Sequence, residues 1–252
     1  SWLRRIPGSL GIGHVRYATS GASDTESLVR DAQPITEELG GTSLSISFNG
    51  NVVNVLELRE ELQKEMEGRR RTSDAILLSL KMLKELEKGG DLAFAARRCM
   101  QDVEGAFSIA GLTGKGTLFA FRDPWGLRPL CLGQDDGLTA VSSESVGLDI
   151  NGVNLDSEAK PGELITVARE GIERQQVAPC NKKAFCAFEF AYFARPDSLF
   201  NSKYVYRARN DFGVNLARRY SDIARKLDVV LSIPETADDA AYGFHEELGI
   251  PW

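Results

Sequence analysis

The sequence predicts an α/β protein in which antiparallel sheets are covered by helical layers, followed by the opening of a parallel α/β unit. Three observations carry this. Residues 1–180 run strands, then helical patterns, then many short strands, without the strand–helix alternation of a parallel sheet. From residue 181 the texture changes, and "DVVLSIP" (228–234) is an apolar run of the kind buried on both faces, followed by a loop entering a helix. The 252 residues are 42% hydrophobic and 26% charged, ordinary values for a globular chain. The expected domains are 1–180, and 181–252 as the start of a second, truncated domain.

The elements follow from local pattern. "SLGIGHVRYATSG" (9–21) reads as an apolar strand entering a Gly-bounded loop. "TSLSISFNG" (42–50) alternates as a half-buried strand does. Asn49-Gly50 at its end reads as a tight strand-to-helix turn, since both residues tolerate positive φ. "VLELREELQKEMEG" is a charged amphipathic helix stopped by Gly68. "RRRTSDAILLSLKMLKELEKGG" opens on a capping cluster, Thr72, Ser73 and Asp74, and stops at Gly89-Gly90. "LAFAARRCMQDVEG" is a further helix. Short strands follow at "AFSIAGLT", "TLFAFRD", "PLCLGQ" and "LTAVSSES", and "ELITVAREGIERQQV" is a hairpin about Glu170-Gly171. "AFCAFEFAYFA" reads as an aromatic strand, "YVYRARNDFGVNLARRYSDIARKL" as one or two helices.

A net charge of −6 does not favour a nucleic-acid partner. No apolar run approaches the length that spans a bilayer. Cys99, Cys131, Cys180 and Cys186 lack zinc or disulfide spacing, which fits a reducing, cytoplasmic setting. The chain lacks an initiator Met, so it is expected to begin partway through a longer protein.

Each candidate for chemistry has an ordinary alternative. Arg16, in a Gly- and Ser-flanked loop, suits bidentate capture of a carboxylate, and equally a surface ion pair. Asn49 and Gly50 offer a side-chain amide and a backbone N–H to a carbonyl becoming an oxyanion, or merely form the turn. Asp74 could receive an ammonium group or cap its helix. His14 and His245 are too few and too separated to suggest a metal site. "RDPWGLRPL" (122–130) is a tight turn that Asp123 and Arg128 stabilise without a catalytic role. In "IPETADDAA" (233–241), Thr236 could present its hydroxyl and N–H to pyrophosphate or magnesium, or serve as an N-cap.

The order of these motifs carries more than any one of them. "GIGHVRYATSG", "FNGNVVN", "RTSDAILL", "LFAFRDPWGLRPLCLG", "FEFAYFARPDS", "VYRAR" and "VVLSIPET" resemble, in sequence order and across nearly the whole chain, the amidophosphoribosyltransferase family of class II glutamine amidotransferases. The resemblance implies an N-terminal-nucleophile glutaminase, a four-layer α/β/β/α sandwich, joined to a parallel-sheet type I phosphoribosyltransferase domain. It implies that glutamine supplies ammonia, which displaces pyrophosphate from phosphoribosyl pyrophosphate to give 5-phosphoribosylamine, the first committed step of purine biosynthesis. By the same resemblance Arg16, with Thr19 nearby, holds the glutamine α-carboxylate. Asn49 and Gly50 stabilise the oxyanion, Asp74 takes the α-amine, and Thr236 is associated with magnesium. Cys186 matches an iron–sulfur position of some members, although the "PET" loop resembles members without a cluster. Purine nucleotides are expected as feedback inhibitors and a homo-oligomer as the assembly.

Departures from the family pattern are equally visible. The N-terminal Cys nucleophile and its "CGI" strand are absent, as is most of the transferase site, so the 252-residue chain alone is expected to be inactive. Phe48 stands where the family usually has His. Two alternatives stay open on the sequence: another class II amidotransferase, and a nucleophile-less glutamine-binding or regulatory relative.

Overall fold

A computed structural model of the chain describes residues 8–15, 32–68, 73–180, 182–224 and 226–252. Contacts divide it into two compact units, Ser1–Leu130 with Ala159–Phe185, and Cys131–Glu158 with Cys186–Trp252.

The first unit is built on a six-stranded antiparallel sheet of order β1-β2-β3-β4-β8-β9. Its strands are β1 (Ile35–Leu39), β2 (Thr42–Val52), β3 (Gly105–Thr113), β4 (Leu118–Arg122), β8 (Glu163–Ala168) and β9 (Gly171–Gln176). The sequence reading assigns nothing to 35–39. Those residues pair with β2 through a hairpin whose two glycines, Gly40 and Gly41, take φ of 56° and 82°. Residues 8–15, expected to be the start of a strand, form no strand. The segment is held over β2 by Ser47 Oγ, which donates to the Gly13 carbonyl at 3.1 Å. The β8–β9 hairpin forms where expected.

The turn expected at Asn49-Gly50 is not there. β2 runs through both residues to Val52, and β3 pairs with it along that whole stretch, Asn49 opposite Ser108 and Gly50 opposite Phe107. Tertiary pairing overrides the local turn preference of Asn-Gly. The chain leaves the sheet only at 53–54, then enters α1 (Val55–Glu61) and α2 (Gln63–Met66), two short helices where one was expected.

Helix α3 (Asp74–Glu87) is buried on nearly every side, and α4 (Leu92–Asp102) is capped by Asp91, whose carboxylate accepts from Phe94 N at 2.7 Å. Both contribute to one core. Ile76, Leu80, Leu83, Ala95 and Cys99 from the helices share it with Ile46, Phe48, Phe107 and Phe121 from the sheet. Lys81, 1% exposed, places its ammonium 2.5 Å from Glu61 and 2.7 Å from Asp102, so one buried cation ties the ends of α1 and α4 to α3. Burial alone would lower its pKa, but the contacts with Asp102 and Glu61 outweigh burial and raise it.

The second unit contains a three-stranded antiparallel sheet of order β6-β5-β7, with β5 (Cys131–Asp135), β6 (Leu138–Ser142), β7 (Asn154–Glu158) and the short helix α5 (Ser145–Asp149). Three side chains at its margin hold residues 195–201, which begin inside "FARPDS". Glu144 Oε2 accepts from Arg195 N at 2.9 Å and from Ser198 Oγ at 2.7 Å. Ser145 Oγ accepts from Leu199 N at 2.8 Å, and Glu158 Oε1 from Asn201 N at 2.5 Å. These contacts explain why 131–158 groups with the C-terminal residues.

Two expected strands are corrected here. The aromatic segment is a π-helical turn, Glu189–Phe193, closed by Ala194 N donating to the Glu189 carbonyl at 3.0 Å. Its carbonyls are collected by buried Arg209, whose Nε donates to Phe190 O at 2.8 Å and Nη2 to Ala194 O at 2.7 Å. Residues 228–234 form no strand either, and Leu231 and Ile233 are 82% and 84% exposed. No described strand lies beside them to supply a ladder, and an isolated apolar run cannot satisfy its own backbone. The remaining elements are a two-residue hairpin, β10 (Leu199–Phe200) with β11 (Lys203–Tyr204), and the helices α6 (Val205–Arg219), α7 (Ser221–Ala224) and α8 (Asp238–Leu248).

Candidate functional site

The end of β2 carries the site. In an antiparallel strand the N–H and C=O of one residue point to the same side, and the side alternates along the chain. Phe107, opposite Gly50, exchanges its backbone bonds with Asp123 on β4's side: Asp123 N donates to Phe107 O at 2.9 Å, and Phe107 N donates to Asp123 Oδ2 at 3.2 Å. The peptide groups of Gly50 therefore point away from β3, toward the edge where β1 lies lower down. β1 stops pairing at Ile35–Ile46. Beyond that point Phe48, Gly50 and Val52 present successive N–H groups to an edge that no described strand covers.

The outer two are taken by side chains. Phe48 N donates to Gln33 Oε1 at 2.7 Å, and Val52 N donates to Asp74 Oδ2 at 3.0 Å. Gly50 N–H, between them, donates to no described residue. Two residues of strand advance about 7 Å, so Gly50 N–H stands that far from the Val52–Asp74 contact. That spacing matches one amino acid whose α-amine and side-chain carbonyl are separated by a few bonds of about 1.5 Å each.

The glycine is required by its neighbours and not by an unusual φ. A Cβ at Gly50 would lie 2.1 Å from Ala106 O and 2.8 Å from Phe107 Cα. Asn49 is half-buried and projects from the face that carries Ser47, opposite to the core face of Phe48 and Val52. Phe48, where the resemblance led one to expect His, is 6% exposed and packs into the core.

Asp74 is the first residue of α3 and not its cap. Ser73 is the N-cap and makes no side-chain capping bond. A carboxylate in the first turn is favoured by the helix dipole, and here it also reaches across to β2. Asn54, just beyond the strand, donates from Nδ2 to Asp102 O at 2.9 Å and accepts from Glu104 N at 2.9 Å. The strand end is thus fixed on both sides.

The "RDPWGLRPL" turn behaves as expected for Asp123 and adds a residue that pattern reading missed. Asp123, fully buried, accepts from Trp125 N and Gly126 N at 2.9 Å each. Arg122, 1% exposed, donates to the carbonyls of Arg128, Gly126 and Ala159 at 2.6, 2.7 and 2.9 Å. The turn therefore braces β3 directly behind Gly50, through the Asp123–Phe107 bonds.

Of the expected site residues, Asn49 and Gly50 lie near the end of β2, and Asp74 contacts that strand at Val52. Arg16 and Thr19 lie outside the described residues. Thr236 and Cys186 belong to the second unit. Thr236 precedes Ala237, the N-cap of α8, so it is not the cap that the sequence allowed. Among the described residues no group of three or more His, Cys, Asp or Glu could hold a metal ion. Cys186 is partly buried. Gln33 escaped the sequence reading altogether, because a Gln before Pro carries no pattern of its own.

Residues 16–149 match the family model described as a glutamine amidotransferase domain. The chain belongs to the glutamine amidotransferase family. Within it, this amidotransferase chain is 33% identical to the amidophosphoribosyltransferase of Methanothermobacter thermautotrophicus over 250 residues, covering 99% of the chain and 51% of that protein. It is 36% identical to the Synechococcus elongatus enzyme of that name over 254 residues, covering 99% and 50%. The glutamine phosphoribosylpyrophosphate amidotransferase of B. subtilis, solved with ADP and GMP, superposes with a TM-score of 0.80 at 28% identity, covering 94% of this chain and 50% of that one. The resemblance read from the motif order and the α/β fold class are both borne out. The amidotransferase chain spans about half the length of the curated relatives it matches. No helix among its described residues is long and apolar enough to cross a membrane.

Proposed function

We propose that this chain is part of an amidophosphoribosyltransferase, and that the end of β2 is its glutamine site. One observation carries the reading: a Gly50 N–H on an edge that no described strand covers, flanked by a Val52–Asp74 contact at 3.0 Å. The Asp74 carboxylate takes the substrate α-ammonium by a charge-assisted hydrogen bond. The Gly50 N–H and the Asn49 amide point at the side-chain carbonyl and stabilise the oxyanion formed on attack, which needs donors fixed in advance. Arg16, with Thr19, holds the α-carboxylate. The attacking thiolate of the family's N-terminal cysteine is supplied by sequence outside these residues, so this chain contributes binding and charge stabilisation.

Residues 1–180 then serve as the glutaminase and 181–252 as the opening of the phosphoribosyltransferase domain. Released ammonia attacks C1 of phosphoribosyl pyrophosphate and pyrophosphate departs. Thr236 would meet the pyrophosphate with its magnesium ion, which would neutralise charge on the leaving group. Purine nucleotides as inhibitors, a homo-oligomeric assembly and a cytoplasmic location belong to the same reading.

The test is an assay of the complete polypeptide that contains this chain. Glutamate release from glutamine, and pyrophosphate release that requires both glutamine and phosphoribosyl pyrophosphate, support the reading. Glutamine binding without any glutamate release would replace it with a nucleophile-less relative.

A further inference from the structure

The start of α3 carries a serine hydroxyl that the fold does not use. Ser73 is the N-cap, with extended backbone at φ −71° and ψ 158°. A capping serine accepts from the N–H of the second or third helical residue, here Ala75 or Ile76. Ser73 Oγ does neither. Ile76 N and Leu77 N donate instead to the Ser73 carbonyl, at 3.0 and 3.2 Å. The hydroxyl oxygen is shielded from solvent and makes no hydrogen bond. A buried polar group left unpaired is unfavourable, and calls for a partner from outside the fold. The residue as a whole is only partly buried. With no bond to break, one χ1 rotation brings the hydroxyl to the surface.

Position selects the partner. The next residue is Asp74, whose Oδ2 accepts from Val52 N at 3.0 Å and whose Oδ1 accepts from no described residue. On the reading of β2 as the glutamine site, Oδ1 takes the α-ammonium. The α-carboxylate hangs from the same carbon, within about 3 Å of the ammonium nitrogen. The positive end of the α3 dipole favours a negative group there.

We propose that Ser73 is a substrate-binding residue whose hydroxyl donates to the α-carboxylate of glutamine, beside Arg16. The inference rests on the reading of β2 and Asp74 as that site. Two adjacent residues then sort the zwitterion: Asp74 takes the cation and Ser73 the anion. The α-carboxylate keeps its charge throughout amide hydrolysis, so the contact is equal in ground and transition states. Its loss raises KM and leaves kcat.

The experiment uses the complete polypeptide with Ser73→Ala, and follows ammonia release from glutamine and from 4-aminobutanamide, which is glutamine without its α-carboxylate. With glutamine, KM is expected to rise about tenfold and kcat to stay within about threefold. With 4-aminobutanamide, kcat/KM is expected to stay within about threefold of wild type. The ligand-free variant is expected to show no fall in Tm, whereas loss of a working cap would lower it by a few degrees. An unchanged KM for glutamine overturns the inference while leaving the glutaminase reading intact, and with a lowered Tm it makes Ser73 an ordinary cap. An equal loss with both substrates also overturns it. A wild-type protein that releases no glutamate from glutamine defeats the reading beneath it instead.

Discussion

The carboxylate of Asp74 accepts a hydrogen bond from the backbone N–H of Val52 at 3.0 Å, joining the first turn of α3 to the last residue of β2. The residues are 22 positions apart in the chain, and the contact brings a charged group to the strand that carries Asn49 and Gly50. It fixes the start of α3 to the end of β2. The consequences are measurable.

Asp74→Asn keeps an oxygen for Val52 N–H and removes the negative charge. A charge-assisted hydrogen bond contributes about 1.5–3 kcal/mol, and an α-ammonium contact is made equally in ground and transition states. KM for glutamine is expected to rise about ten- to a hundredfold with kcat within about threefold, in steady-state glutaminase assays of the complete polypeptide. A fall in kcat at constant KM would assign Asp74 a different role.

Gly50→Ala brings a Cβ to 2.1 Å from Ala106 O, a backbone atom that cannot yield without moving β3. The strands must separate locally, which overpacking of this kind makes unfavourable by about 1–3 kcal/mol. The Gly50 N–H moves with them. Losing one oxyanion donor lowers kcat about a hundredfold or more, and that is the expected outcome. Wild-type turnover by Gly50→Ala would remove this N–H from the chemistry.

Lys81→Met removes the buried ammonium shared by Glu61, which is exposed, and Asp102, which is partly exposed and keeps Arg98 at 2.8 Å. Losing the charge-assisted bonds is expected to cost about 1.5–3 kcal/mol, equivalent to a fall in Tm of about 3–12 °C for a protein of this size. Because the folded pKa of Lys81 is raised, its contribution is complete below the ordinary value of 10.5 and is lost as pH rises through the higher folded value. Wild type and variant should therefore differ by a constant amount across neutral pH and converge only in strong alkali, as followed by thermal denaturation.

Glu163 gives the opposite pH signature. Burial would raise its pKa, but the two bonds from Arg174 at 2.9 and 2.8 Å and the Lys160 N–H at 2.7 Å overcome this and lower it. Its stabilisation is complete above the ordinary value of 4.5 and disappears as pH falls through the depressed folded value. Glu163→Gln should lower stability at pH 7 by about 2 kcal/mol and flatten the acid limb of the stability profile. An unchanged acid limb would show that Glu163 does not govern it.

Periodicity and punctuation determined much of this protein. Gly68, Gly89 and the Glu170-Gly171 turn end elements where the sequence places them, because left-handed or tight backbone is a local property. Helices α3 and α4 and strands β3, β4, β8 and β9 were legible from apolar spacing. The order of motifs determined the family, and with it the nomination of Asn49, Gly50 and Asp74. Local pattern failed where partners decide. Asn49-Gly50 is strand and not turn because β3 runs alongside it. "AFCAFEFAYFA" is a π-helical turn because Arg209 gathers its carbonyls. Residues 228–234 are apolar enough for a strand, yet no described strand lies beside them. Only the tertiary structure decided that the N–H of Gly50 faces an edge, between Gln33 and Asp74, that no described strand covers. Which side a strand N–H faces depends on hydrogen bonds made by the opposite strand, here those of Phe107 with Asp123, and sequence spacing along β2 carries no record of them.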